Sequence, residues 1–143
     1  TRHAHHVIHQ EVFMPLRIVR LGSARAPDEG TRIGTVRRPP RGVPKSEFAS
    51  GNWYDVWYPD LAPSVETMKL GQAAETSAQW SAFEKAYRRE MKESTAGRTI
   101  ALLAALSAHA NFSVGCYCEN EARCHRSILR HLLVDAGANL VDD

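Results

Sequence analysis

From Thr76 to Gly137 the chain sets two helix patterns, one unbroken apolar run and a further helix pattern in succession, an order that predicts an α/β fold. Thr76-Ser-Ala-Gln79 fits a capping box. Behind it Trp80, Phe83, Tyr87 and Met91 recur at three- and four-residue spacing, so they form one face of an amphipathic helix. That aromatic stripe reads as core rather than as a ligand box. Thr99–His109 reads as a second helix, with Ile100, Leu103 and Leu106 on one face. Phe112–Cys118 is a buried strand. Arg123 or Cys124 opens a third helix with Ile128, Leu129, Leu132 and Leu133 inward, and Gly137 ends it. Ala138–Val141 is a last short strand.

The first half is more broken. Leu16–Leu21 is a strand stopped by Gly22, residues 22–30 form a loop, and Thr31–Val36 is a second strand. Pro39, Pro40 and Pro44 keep Arg37–Pro44 irregular, because each removes a donor and fixes φ. Ser46–Ser50 fits a helical turn, and Trp53–Tyr58 fits either a strand or a short irregular helix. Ser64 caps a helix that should stop at Gly71. These elements predict a single three-layer domain with a mixed, mainly parallel sheet flanked by helices, spanning Met14–Asp143. Thr1–Phe13 reads as a separate extension rich in histidine (His3, His5, His6, His9). At 143 residues, with 43% apolar and 24% charged side chains, such a domain can bury its own core. No apolar run is long enough for a membrane span. Three cysteines crowded together, with no apolar leader, point to a reducing cytoplasmic setting.

The candidate chemistry lies in Cys116-Tyr-Cys118-Glu119-Asn-Glu-Ala-Arg123-Cys124-His125-Arg126, where the buried strand turns into a helix. A helix start exposes unpaired N–H groups and the positive end of its dipole. With Arg123, His125 and Arg126 beside it, a thiol there should have a lowered pKa, and an anion would find donors already arranged. Three functional readings of the turn compete with a purely structural one. Cys118 or Cys124 could act as a nucleophile with Arg123 or Arg126 holding the substrate. The Cys-to-Arg spacing, however, does not match the loops of phosphatases and sulfurtransferases. Cys116, Cys118, Cys124 and His125 could bind zinc, but the spacing is not that of paired Cys-x-x-Cys knuckles, and no metal is expected. Third, the turn could bind an anion such as a nucleotide phosphate. A second basic feature lies upstream: between Leu16 and Lys45, Arg17, Arg20, Arg25, Arg32, Arg37, Arg38, Arg41 and Lys45 face only Asp28 and Glu29. Such a stretch suits phosphate or nucleic acid, or a solvated surface.

Taken in order, Gly30-Thr-Arg32-Ile33, Arg38-Pro-Pro-Arg41-Gly42-Val43-Pro-Lys45, Leu61-Ala62-Pro63-Ser64, Trp80-Ser-Ala-Phe83-Glu-Lys-Ala-Tyr87-Arg88-Arg-Glu90 and Cys118-Glu119 with Cys124-His125-Arg126-Ser127 resemble domain-of-unknown-function family 488 from about Leu16 to Gly137. The resemblance implies a small cytoplasmic α/β protein of bacterial type, with no established activity. The chain departs from the commoner family pattern: Pro39 replaces a tryptophan before Pro40-Arg41-Gly42, and Val36-Arg37 stands where an Asp-Arg is usual.

In an α/β sheet, loops at the carboxyl ends of neighbouring strands share one crevice. If the first strand and the strand before the Cys turn are neighbours, one recess gathers two sets of residues. Ser23, Arg25, Arg41, Lys45 and Arg126 would bind an anion; Cys124, Cys118, His125 and Glu119 would supply reactivity and proton transfer. Trp53 or Tyr58 would offer a stacking wall for a base. The expected function is therefore to bind a phosphate-bearing small molecule such as a nucleotide, with its chemical processing left open. The alternatives are a non-enzymatic nucleic-acid-binding module using Arg17–Lys45, and a structural or interaction protein. No Walker loop or Gly-x-Gly-x-x-Gly occurs, so no cofactor is expected, and the sequence is silent on oligomeric state.

Overall fold

The computed structural model describes residues 15–141, so the His-rich extension lies outside the described residues. Four strands, β1 (Leu16–Arg20), β2 (Thr31–Gly34), β3 (Val56–Trp57) and β4 (Phe112–Cys116), form one sheet in the order β1-β4-β2-β3. Every neighbouring pair is parallel. The last strand in the chain thus sits between the first two. Phe112 pairs with Leu16 on one side and Thr31 on the other, and Val114 with Ile18 and Ile33. Residues 138–141, predicted as a strand, add only one parallel bridge, from Leu140 to Leu16.

The helices are α1 (Val65–Ala73), α2 (Ser77–Met91), α3 (Ser94–Leu106) and α4 (His125–Asp135). Strand periodicity puts Leu16, Ile18, Ile33, Phe112 and Val114 on one face. That face meets Phe83, Tyr87, Met91, Ile100, Leu103, Ile128, Leu129 and Leu133 from α2, α3 and α4 in a single core. The opposite face carries Arg32, Gly34, Ser113 and Gly115, and is covered by irregular chain rather than by helices. There the fully buried Arg32 donates to both carboxylate oxygens of Glu29 (2.7 and 3.0 Å), and Ser113 donates to Glu29 at 2.6 Å. Arg32 also donates to the carbonyls of Ser23 and Asn52, so one buried ion pair ties the loop after β1 to the segment before β3.

Local chemistry explains where elements start and stop. The capping box at Thr76 and Gln79 opens α2 as predicted, and Ser64 accepts from the Thr67 amide to open α1. Helix α1 does not stop at Gly71. That glycine lies against the Phe83 ring, where an added Cβ would come within 2.9 Å, so it serves the close approach of α1 to α2 rather than a cap. Helix α3 begins at Ser94 instead of Thr99, because Gly97 is tolerated in its first turn and donates to the Glu93 carbonyl. Of Trp53–Tyr58 only Val56 and Trp57 join the sheet. β4 ends at Cys116, where its ladder partner β1 ends at Arg20 and the chain turns at Gly22 with φ of 92°. Beyond the strand ends Leu21, Val36, Tyr54, Cys116 and Cys124 make a second small core. Among the described residues no helix is long and apolar enough to cross a membrane.

Candidate functional site

The carboxyl ends of β2 and β4 open onto a pocket of about 270 Å³. The end of β4 and the chain just after it supply Cys116, Tyr117 and Cys118, the chain after β2 supplies Val36, Arg37 and Arg38, and α1 and α2 close the far wall with Met68, Gly71, Trp80 and Phe83. Cys124 and His125 line it from the start of α4, and no lining residue is a carboxylate. Trp80 is the one member of the aromatic stripe that is not core. It is half-buried, 4.7 Å from Phe83 between ring centroids, with the Arg123 guanidinium 4.8 Å over its face.

The three thiols are free, with Cys116 and Cys124 buried and Cys118 exposed. Cys116 Sγ donates to Cys118 Sγ at 3.8 Å. His125 Nε2 lies 2.7 Å from the Thr35 carbonyl, which can only accept, so the ring proton sits on Nε2. That leaves Nδ1 facing Cys124 Sγ at 3.8 Å. Beneath the turn Arg126 is 4% exposed; one Nη donates to the Cys118 carbonyl, while its Nε is buried without a partner. Hydrogen bonds from Cys116 and Cys124, opposed by partial burial and joined by the charge of Arg126, pull the Cys118 thiol down to about 3. The same hydrogen bonds, with burial, hold Cys116 protonated. Cys124 is lowered as well, chiefly by the Cys116 thiol, with His125 acting in the same direction. The corner therefore favours negative charge on Cys118, the exposed one of the three cysteines that line the pocket. The donor atoms of Cys116, Cys124 and His125 lie within 4.8 Å of one another, close enough to share a thiophilic cation. The hydrogen bonds among them satisfy the same atoms with protons.

The family model described as "Active DUF488-N3 subclade" (DUF488-N3a) matches residues 16–137. The chain belongs to the DUF488 family. No curated protein and no solved structure matches it. The matched span of this DUF488 domain takes in the whole sheet and all four helices.

Strands β1 and β4 are neighbours, but the chain after them frames two pockets rather than one recess. Tyr117 is the shared wall. Ser23 and Arg41 line the second pocket, of about 550 Å³, with Arg20, Gly22, Pro40 and Trp53. Ser23 itself is turned back onto the Arg20 carbonyl. Arg25 is engaged by Asp55 at 2.8 and 3.2 Å and by Asn52, which makes it a brace between loops. Lys45 begins an exposed 3₁₀ turn and lines neither pocket, and the same holds for the exposed Glu119 beside Cys118. Arg126 lies under the thiols rather than in the pocket. The cations that do line the DUF488 thiol pocket are Arg37, Arg38 and Arg123. Their signal in the sequence is position: Arg37-Arg38 directly follows the second strand, and Arg123 directly precedes the helix that starts the Cys-His-Arg corner. Tyr58, offered as a stacking wall, instead shares a hydrogen bond with Thr99 at 2.8 Å.

Proposed function

We propose that this DUF488 protein is a thiol-dependent enzyme that binds a phosphate-bearing small molecule with a flat ring, such as a nucleotide, and attacks it with Cys118. The observation that carries this reading is the placement of Cys118. It is the exposed thiol of three, it opens into a pocket with aromatic walls and no carboxylate, and it lies against a buried arginine. Trp80 and Tyr117 offer faces for a ring, and Arg38 and Arg123 offer charge to its phosphate, with Arg37 beside them held by the Pro59, Ala62 and Pro63 carbonyls. The thiolate sulfur would form a bond to an electrophilic atom of the ligand, and the leaving group would depart with the bonding pair. Cys124 and His125, in contact with each other behind Cys118, provide a route for a proton to and from the corner. The matched subclade is described as active, which agrees with a working thiolate.

Calorimetric titration of the full chain with the common nucleoside mono- and diphosphates tests this. One or more should bind, and Trp80→Ala should weaken it by about tenfold, the scale of one lost stacking contact. Prior alkylation of Cys118 should block turnover of the bound compound, as should Cys118→Ser in a protein that keeps its fold by circular dichroism. Absence of binding by every nucleotide, or full turnover by Cys118→Ser, overturns the proposal.

A further inference from the structure

The charged side chains of the molecule are unevenly paired. Arg17, Arg25, Arg32, Arg88 and Arg130 each meet a carboxylate within 3.0 Å. Arg20, Arg37, Arg38, Arg41 and Arg123 meet none among the described residues. All five of these line the two pockets at the carboxyl ends of the strands: Arg37, Arg38 and Arg123 the thiol pocket, Arg20 and Arg41 the second. Among the described residues Arg89, Arg98 and Arg126 also meet no carboxylate, but five of these eight arginines gather on one face, on both sides of Tyr117.

The second pocket has aromatic walls as the first does. Trp53 stands edge-on to Tyr117, with ring centroids 6.0 Å apart, and lies over Gly22, where an added Cβ would come within 2.9 Å of its ring. Tyr117 is held as a ridge between the pockets by its hydroxyl, which donates to the Arg38 carbonyl, and by its own carbonyl, which accepts from Arg20. A mononucleotide would fill one pocket and leave Trp53, Arg20 and Arg41 unused. Two ring-sized pockets with a common wall and a border of arginines match consecutive bases on a shared backbone, the arrangement that single-strand binders build from stacking faces and a basic track.

We propose that the natural ligand is a single-stranded polynucleotide, with one base beside Cys118, the adjacent base in the Trp53 pocket and the linking phosphate over Tyr117. This rests on the nucleotide reading above. A duplex does not fit it, because its stacked and paired bases cannot enter separate pockets.

Fluorescence anisotropy of the full chain with a labelled single-stranded octamer, DNA or RNA, decides the matter when set beside the same octamer as a duplex and a nucleoside monophosphate. The single strand should bind at least about tenfold more tightly than the monophosphate, since each added stacked base contributes about that factor. Its affinity should fall with salt at a log–log slope of about −0.7 per phosphate neutralised. Arg41→Glu, a change at an exposed side chain with no partner among the described residues, should weaken the octamer by about tenfold or more and the monophosphate less; Trp53→Ala should act in the same direction. Equal affinity for monophosphate and octamer, preference for the duplex, or an octamer indifferent to Arg41→Glu would overturn the strand proposal while leaving the one-pocket reading standing. Failure of both ligands to bind ends both.

Discussion

His125 Nε2 bonds the Thr35 carbonyl at 2.7 Å, across the gap between the start of α4 and the chain leaving β2. One hydrogen bond therefore sets both the position of the helix start and the tautomer of the ring, and aims Nδ1 at Cys124. Heteronuclear NMR of the imidazole nitrogens should find the Nε2–H form in the neutral ring. Replacing His125 with alanine strands the buried carbonyl and should cost about 1–3 kcal/mol of stability in urea titrations. An Nδ1–H signal would contradict the orientation described.

Cys118 should react ahead of its neighbours. Because its thiol is pulled to about 3, its alkylation by iodoacetamide should change little between about pH 5 and pH 8, where an ordinary thiol of pKa about 8.5 accelerates steeply. Cys116, buried and held protonated, should stay unmodified until unfolding. Peptide mapping by mass spectrometry after timed labelling reads both. Arg126→Gln removes one of the groups that favours the thiolate, so labelling at low pH should slow.

Acid should loosen the face opposite the helices. Burial alone would raise the Glu29 carboxyl, but hydrogen bonds from Arg32, Ser113 and the Ala26 amide outweigh it and hold the group below its usual range. A lowered folded value means the stabilisation is present above the unfolded carboxylate value of about 4.3 and is lost as pH falls through the folded value. Glu29→Gln leaves Arg32 charged, buried and unpaired, and should cost about 3–5 kcal/mol at neutral pH. That deficit, followed by denaturant unfolding at descending pH, should shrink in acid as the wild-type carboxylate takes up its proton.

Two helical glycines should respond to alanine in opposite ways. At Gly71 the new methyl meets the Phe83 ring at 2.9 Å, and overpacking of about 1–3 kcal/mol exceeds the helix-propensity gain of about 1 kcal/mol, so the melting temperature should fall. At Gly97 the nearest atom would be 3.5 Å away, an ordinary contact, so the propensity gain should prevail and the melting temperature rise. Stabilisation by Gly71→Ala would show that α1 and α2 do not pack as described.

The fold was most legible where side-chain periodicity and capping chemistry agree. The capping box at Thr76, the Phe83–Tyr87–Met91 stripe and the apolar run of β4 all act through neighbours a few residues away, which a linear pattern records. Gly71 misled because the same residue type serves as a stop or as a contact surface, and only the packing partner decides. The Cys-His-Arg corner could be read from its residue types. The division of the crevice could not, because it depends on where the Tyr117 hydroxyl finds an acceptor, seventy-nine residues upstream at Arg38. Nor could the pairing that occupies Arg25 with Asp55 and leaves Arg41 unengaged, since charge along a chain says nothing about which ions meet in space.

Because β4 is hydrogen-bonded on both flanks, the sulfur corner that issues from it is anchored to the interior of the sheet. Apart from Arg20 at the end of β1, the arginine rim is carried instead by chain segments outside the sheet. Reactivity and ligand choice are thus mechanically separable. Substitutions along the rim can retune what is captured without disturbing the thiols, so this scaffold is suited to diversify its substrates while its chemistry stays constant.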